Sequence, residues 1–244
     1  MNTAEKIKQL QEILDQAQRV VFFTGAGVST DSGIPDFRSQ DGLYAQTYDF
    51  PPEEIISHHF FLQNPEEFYR FYKDKMLYLD AKPNSLHYFI ADMEKSGKSL
   101  GVVTQNIDGL HQKAGSEKVY ELHGSVLRNY CQRCGADYSA EWIAQSTGVP
   151  HCPKCGGTVK PDVVLYEEGL SEQVLQEAVT AIQSADVMVV LGTSLVVYPA
   201  AGLLRYFHGS HLVLINRDAT PLDYQANLVI NERFDQVFPY LHSN

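Results

Sequence analysis

Four short apolar runs in this chain each end abruptly in small or polar residues, and this repeated join constrains the fold most. Residues 20–23 (VVFF) run into Thr-Gly-Ala-Gly, and residues 101–104 (GVVT) run into Gln-Asn-Ile-Asp. Residues 187–191 (VMVVL) run into Gly-Thr-Ser, and residues 212–215 (LVLI) run into Asn-Arg-Asp. Unbroken apolar runs suit strands buried on both faces, as in a parallel sheet. Helical periodicity fills the spaces between them. Ile7, Leu10, Ile13 and Leu14 mark one helix. Leu86, Phe89, Ile90 and Met93 mark another, stopped at Gly97, and a third is expected over about 171–184. The aromatic residues Phe60, Phe61, Phe68, Phe71 and Tyr72 predict two short helices split near Pro65. A helix is expected from Pro199, a last strand near 227–230, and a closing helix. Strands alternating with helices give an α/β fold built on a doubly wound parallel sheet. In such a sheet ligands lie beyond the carboxyl ends of the strands, so the polar residues there are the first candidates for a site.

The chain has 244 residues, enough for one large domain with a small insert. Its formal net charge of −11 disfavours nucleic acid as a partner, which needs a basic face. No run of about 18 apolar residues predicts a membrane span. The N-terminal segment lacks the apolar core of a signal peptide, so a cytoplasmic protein is expected. Cys131-x2-Cys134 and Cys152-x2-Cys155 stand seventeen residues apart, each pair followed by glycine. That spacing lets four thiolates meet one tetrahedral zinc ion. Two disulfides or free thiols are the competing reading, and disulfides are disfavoured without a secretory signal. Four sulfurs fill the coordination shell, so the metal is read as structural and the chemistry must lie elsewhere.

Gly25-Ala26-Gly27 begins like a dinucleotide-binding turn, whose backbone N–H groups meet phosphate. Thr30 stands where a third glycine is expected, and no ribose-binding acid follows a second strand. A nicotinamide dehydrogenase is therefore not indicated. Ser29, Thr30 and Ser32 can bond phosphate or ribose, or simply cap a helix. Asp36-Phe37-Arg38 combines a carboxylate, an apolar lid and a guanidinium suited to phosphate; a surface ion pair is the alternative for Arg38. Gln105, Asn106 and Asp108 follow the second strand, where turn chemistry alone also favours them. His123 follows a short strand and can take a proton near neutrality. Gly192, Thr193, Ser194, Asn216 and Asp218 occupy the last two strand ends.

In this order, GAGVSTDSGIPDFR, TQNID, ELHGS, the cysteine quartet, GTSLVVYPA and the Asn216 turn resemble the sirtuins, the NAD-dependent protein-lysine deacylases, over nearly the whole chain. The resemblance implies a Rossmann-like domain at 1–40, 81–125 and 161–244. It implies a small domain formed by a helical insertion at 41–80 and a zinc-ribbon module at 126–160. It implies NAD as co-substrate, structural zinc and acyl-lysine protein or peptide partners, acted on by a monomer. Gly25, Ala26, Gly27, Thr30, Asp36, Phe37, Arg38, Gln105, Gly192, Thr193, Ser194, Asn216 and Asp218 would contact NAD. Asn106, Ile107 and Asp108 would line its nicotinamide pocket, and His123 would be the general base. Val163 and Val164 would line the acyl-lysine tunnel, and Tyr166 and Val197 would clamp the peptide. Glu167 stands where the family carries glycine, which alters the freedom of that loop. Members that remove succinyl groups carry a Tyr and an Arg three residues apart; here Tyr72 and Lys75 align, and lysine lacks the bidentate fork. Deacetylation leads, with other acyl chains and protein mono-ADP-ribosylation as alternatives.

Overall fold

The computed structural model describes residues 1–36 and 50–243, so Phe37, Arg38 and positions 41–49 of the expected insertion lie outside the described residues. The chain opens with α1 (Thr3–Gln16) and β1 (Val20–Thr24). Three short helices, α2 (Pro52–Ile55), α3 (His58–Gln63) and α4 (Pro65–Lys75), precede α5 (Ser85–Lys95) and β2 (Ser99–Thr104). Then come α6 (Leu110–Ala114), β3 (Val119–Glu121), β4 (Gly124–Cys131), β5 (Asp137–Tyr138), α7 (Ala140–Gln145) and β6 (Val159–Val163). The chain closes through α8 (Glu172–Ser184), β7 (Val187–Leu191), β8 (His211–Ile215) and β9 (Leu228–Ile230).

Six strands form one parallel sheet in the order β3-β2-β1-β7-β8-β9. The winding reverses between β1 and β7, which places a ligand-binding crevice at their carboxyl ends. β1 shows why the run had to be apolar throughout. Val20 and Phe22 enter one core with Leu10, Leu86 and Ile90, while Val21 and Phe23 enter another with Ala178, Ile182 and Leu204. Successive side chains of a strand point to opposite faces, so in a sheet covered on both sides the run is apolar up to its carboxyl end, where the buried Thr24 bonds Thr104 across the β1–β2 pair. α1 and α5 cover the first face and α8 the second.

β5, β4 and β6 form a separate antiparallel sheet. It shares a third core with α2, α3 and α4, in which Phe60, Phe68, Tyr69 and Tyr72 pack against Val126, Ile143 and Val159. Tyr69 Oη donates to the Val159 carbonyl. Pro65 opens α4 at its first turn, where a missing N–H costs nothing. Two expected helices are instead 3₁₀ turns. Ala200–Tyr206 is tightened by Gly202 N–H donating to Pro199 O at 3.0 Å. At the C-terminus Pro239 has no N–H to extend an α-helix, and Phe234–Gln236 and Phe238–Tyr240 form 3₁₀ turns.

Candidate active site

The carboxyl ends of β1, β2, β3, β7 and β8 open on a cavity of about 940 Å³. The candidate site residues at these strand ends line it, apart from the two outside the described residues and Ser32, whose hydroxyl lies off the cavity and accepts from Asn84 Nδ2 at 3.0 Å. The β1 end contributes Gly25, Ala26, Gly27, Thr30 and Asp36. Here the glycines act differently from the sequence expectation. Gly25 N–H donates to Leu191 O at 3.0 Å and Gly27 N–H to Gly192 O at 2.9 Å. A Cβ on Gly25 would lie 2.7 Å from Thr193 Cβ, and one on Gly27 2.8 Å from Gly192 Cα. These glycines let the β1 and β7 loops touch, and their own amides are spent on that contact rather than left for phosphate. Thr30 turns its hydroxyl onto Gly27 O at 2.9 Å.

The β2 end carries a closed polar network. Asn106 N–H donates to Thr104 Oγ1 and Asn106 Nδ2 to Ser29 Oγ, both at 3.0 Å. Ser29 Oγ donates to Asp108 Oδ2 at 2.7 Å, and Leu110 N–H caps Asp108 Oδ1 at 2.9 Å. Ser29 therefore orients Asn106 and Asp108. The sequence offered it as a phosphate ligand or a cap, because a bond across 79 positions leaves no local trace. Ile107 lines the same wall, and its carbonyl accepts from Val126 N–H at 3.0 Å.

His123 sits half-buried just after β3. Its Nδ1–H donates to the Gln105 carbonyl at 3.0 Å. A carbonyl can only accept, so this bond fixes the proton on Nδ1 and leaves the Nε2 lone pair as a base. Burial lowers the His123 pKa, opposed in part by the Gln105 bond, so the imidazole is neutral at pH 7. Gln105 Nε2 reaches across to Thr193 Oγ1 at 3.0 Å. Thr193 N–H and O bond the Asn216 side chain at 2.9 and 3.1 Å, tying the β7 and β8 ends together. Gly192 and Ser194 line the cavity beside them, and Asp218 lines its rim, paired with Arg217 at 3.2 Å.

The opposite wall holds Val163, Val164, Tyr166 and Val197. Val164 N–H donates to His123 O at 3.0 Å, so this wall is registered to the histidine. Glu167 lies in the left-handed region at φ 76°, the conformation of a glycine position. Its carboxylate is held by His59 N–H at 3.0 Å and His59 Nδ1 at 2.8 Å. Lys75 lines the cavity, whereas Tyr72 is fully buried and stacked on Phe68 at 5.8 Å. Met76, Leu79 and Lys113 also line the cavity and carry no motif that marks them. Met76 and Leu79 follow the end of α4, and Lys113 lies in the five-residue α6, so no periodicity marks them.

Cys131, Cys134, Cys152 and Cys155 bring their sulfurs within 4.8 Å of one another. The Cys131–Cys155 and Cys134–Cys152 separations are 3.4 and 3.7 Å, far beyond a disulfide bond. Zn–S bonds of about 2.3 Å give a tetrahedron whose edges are about 3.8 Å, so the donor set fits zinc. None of the four cysteines lines the cavity, which agrees with a structural ion. No helix among the described residues is long and apolar enough to cross a membrane.

Comparison with known proteins agrees with this geometry. The chain is 55% identical over 236 residues to a protein of Clostridium acetobutylicum named NAD-dependent protein deacetylase, covering 96% of each chain. A protein of the same name from Clostridium perfringens is also 55% identical, covering 96% of this chain and 97% of its own. A solved Sir2 structure described with a deacetylated p53 peptide and 3'-O-acetyl ADP ribose superposes with a TM-score of 0.89 at 41% identity, covering 96% of both chains. A Sir2 structure described with p53 peptide and NAD+ gives 0.82 at 42% identity, covering 96% of this chain and 95% of that one. The family model described as Sir2 family matches residues 25–199, and the chain belongs to the Sir2 family.

Proposed function

We propose that this chain is an NAD-dependent protein-lysine deacetylase that transfers the acetyl group of an acetyl-lysine peptide to ADP-ribose and releases nicotinamide. The observation that carries this reading is the neutral His123, with Nε2 free as a base, in one cavity with the Asn106–Asp108 network. Relatives at 55% identity named NAD-dependent protein deacetylase support it. NAD, as co-substrate, supplies an anomeric carbon whose nicotinamide can leave. Gly25, Ala26, Gly27, Thr30 and Asp36 border it on the β1 side, the two glycines through bare backbone and not through their spent amides, and Phe37 and Arg38 are further proposed contacts. Gln105, Gly192, Thr193, Ser194, Asn216 and Asp218 receive it on the β7–β8 side. Asn106, Ile107 and Asp108 hold the nicotinamide end. Val163 and Val164 align the acyl-lysine carbonyl with the reacting carbon, and Tyr166 and Val197 clamp the peptide backbone. Once the acyl oxygen has joined that carbon in place of nicotinamide, His123 would withdraw a proton from a ribose hydroxyl so that it attacks the acyl carbon, and water would then release the free lysine and leave O-acetyl-ADP-ribose.

The acetyl group is favoured over acidic chains because Tyr72 Oη is buried in the third core instead of facing the cavity. The segments 41–80 and 126–160 form the small domain in this reading. A reducing cytoplasmic setting would keep the four thiols available for zinc. The test is mass analysis of products from NAD and a panel of acetyl, propionyl, butyryl and succinyl peptides. O-acetyl-ADP-ribose is expected, with His123→Ala lowering turnover by about 10²–10⁴-fold. ADP-ribosylated protein without deacylation, or wild-type rates from His123→Ala, would overturn the reading.

A further inference from the structure

Beneath the Asn106–Asp108 turn lies a polar pair with no part in the chemistry above. His87 on α5 and His111 on α6 are 0% and 1% exposed, with ring centroids 4.9 Å apart. Burial lowers the pKa of both, so both rings are neutral. His87 Nε2 and His111 Nδ1 have no hydrogen-bond partner among the described residues. Burying unpaired nitrogens destabilises a fold, and an apolar ring would fill the same space without that cost. His87 Nδ1 accepts the Asn84 N–H at 3.3 Å and closes the cap of α5, so the imidazole still to be explained is that of His111.

The bonded nitrogen of His111 supplies the explanation. His111 Nε2 lies 3.0 Å from Thr24 Oγ1, and Thr24 Oγ1 lies 2.8 Å from Thr104 Oγ1. Thr24 and Thr104 are direct partners in the β1–β2 register. Thr104 Oγ1 accepts the Asn106 N–H at 3.0 Å, and the chain continues through Asn106 Nδ2 and Ser29 to Asp108. With Thr24 donating to Thr104, a neutral His111 carrying its proton on Nε2 donates to Thr24 and completes the chain. The Thr24 and Ser29 hydroxyls then each donate in a defined direction, and Thr104 Oγ1 accepts from both Thr24 and the Asn106 N–H. We infer that His111 is a positioning residue for the Asn106–Asp108 turn, acting through the Thr24–Thr104 hydroxyl pair, with His87 as the ring that supports it. The inference rests on the proposed role of that turn as the nicotinamide pocket.

The test compares three variants in the full-length protein. His111→Phe keeps the ring and removes both nitrogens. His111→Gln keeps an amide nitrogen within reach of Thr24. Thr24→Val removes the hydroxyl while keeping its shape. The readouts are exchange of labelled nicotinamide into NAD, the inhibition constant for nicotinamide, and the KM for acetyl-peptide. His111→Phe and Thr24→Val should each weaken nicotinamide inhibition and slow exchange by about tenfold, the scale of one hydrogen bond in a buried network. His111→Gln should restore most of that loss, and peptide KM should move far less. Equal defects in His111→Phe and His111→Gln would overturn the inference, as would a peptide KM that rises in step with the nicotinamide constant. If His111→Phe does not fold, Thr24→Val against His111→Gln decides the same question. A wild-type protein that releases no nicotinamide at all would instead remove the proposed function.

Discussion

The two sheets of this molecule solve the same problem in opposite ways. In β1 and β7 all five residues are buried, and each strand feeds the cores on both faces of the large sheet. In β6 buried and half-buried residues alternate, and β4 exposes two residues in mid-strand. One sheet is held by apolar area removed from water, at roughly 25 cal/mol per Å². The other has a single covered face, and a two-residue strand, β5, closes one edge. It carries the cysteine quartet because hydrophobic burial alone is thin there. The site draws on both, since His123 lies between β3 of the first sheet and β4 of the second.

The largest expected effect separates the two sheets completely. Removing zinc with a chelator, or replacing Cys152 by Ser, deletes an interaction that in small zinc modules amounts to about 10–16 kcal/mol. Amide exchange should then lose protection in β4–β6 while β1 and β7 keep theirs, and activity should vanish. Uniform loss of protection in both sheets would show that they are one cooperative unit. Phe22→Ala attacks the other side. Phe22 is 0% exposed and meets Phe89 edge-on at 6.4 Å. The substitution should cost about 3–5 kcal/mol and lower Tm on the order of 10 °C, without loss of bound metal. Retained Tm would mean the large core is less cooperative than its burial implies.

Acid should also weaken the large sheet by way of its buried histidines. His87 and His111 are held neutral below their ordinary pKa of about 6.5. Their contribution is complete above that pH. As pH falls below it the unfolded chain takes up protons first, and stability declines until the folded pKa values are passed. The urea midpoint should therefore fall below about pH 6.5, with a flatter slope in His111→Phe. The join between the sheets is more delicate. Gly124, next to His123, has φ 73°, and a Cβ there would run into the Asp162 carbonyl. Gly124→Ala should cost about 1–3 kcal/mol in strain, with a disproportionate loss of kcat because His123 shifts. A loss of Tm with kcat intact would place His123 outside the chemistry.

The contrast between the sheets also explains what could be read from the sequence. The strands of the large sheet announce themselves because double burial forbids polar interruptions, and their polar ends mark the cavity. α1, α5 and α8 are long enough to show a period. The five-residue α6 is not, so His111 reads as part of a turn. The antiparallel sheet was legible only through its cysteines, since β4 and β6 mix exposed and buried positions. The bond from Ser29 to Asp108, and those from His123 to the Gln105 carbonyl and from Glu167 to His59, join distant segments. No local pattern encodes them.

Glu167 offers the smallest and sharpest test, because it sits where the second sheet hands the chain back to the first. Glycine would adopt its left-handed backbone without cost, so a glutamate there needs a compensating contact. His59 supplies it, and Ser57 and Tyr166 form a bridge beside it, so the Tyr166–Glu167 loop is clipped to α3. The His59 bonds also hold the Glu167 carboxyl below its ordinary pKa, so it stays ionised through the neutral range. A fixed negative charge on that wall should favour lysines flanked by basic residues. With matched acetyl-peptides carrying arginine or glutamate beside the target lysine, Glu167→Gln should narrow the preference severalfold in kcat/KM while leaving the backbone conformation in place. Glu167→Gly should narrow it equally and also raise peptide KM, because the loop gains freedom. Flank preference unchanged in both variants would show that the carboxylate serves only to hold the loop, making a glutamate at this left-handed position a matter of stability rather than substrate choice.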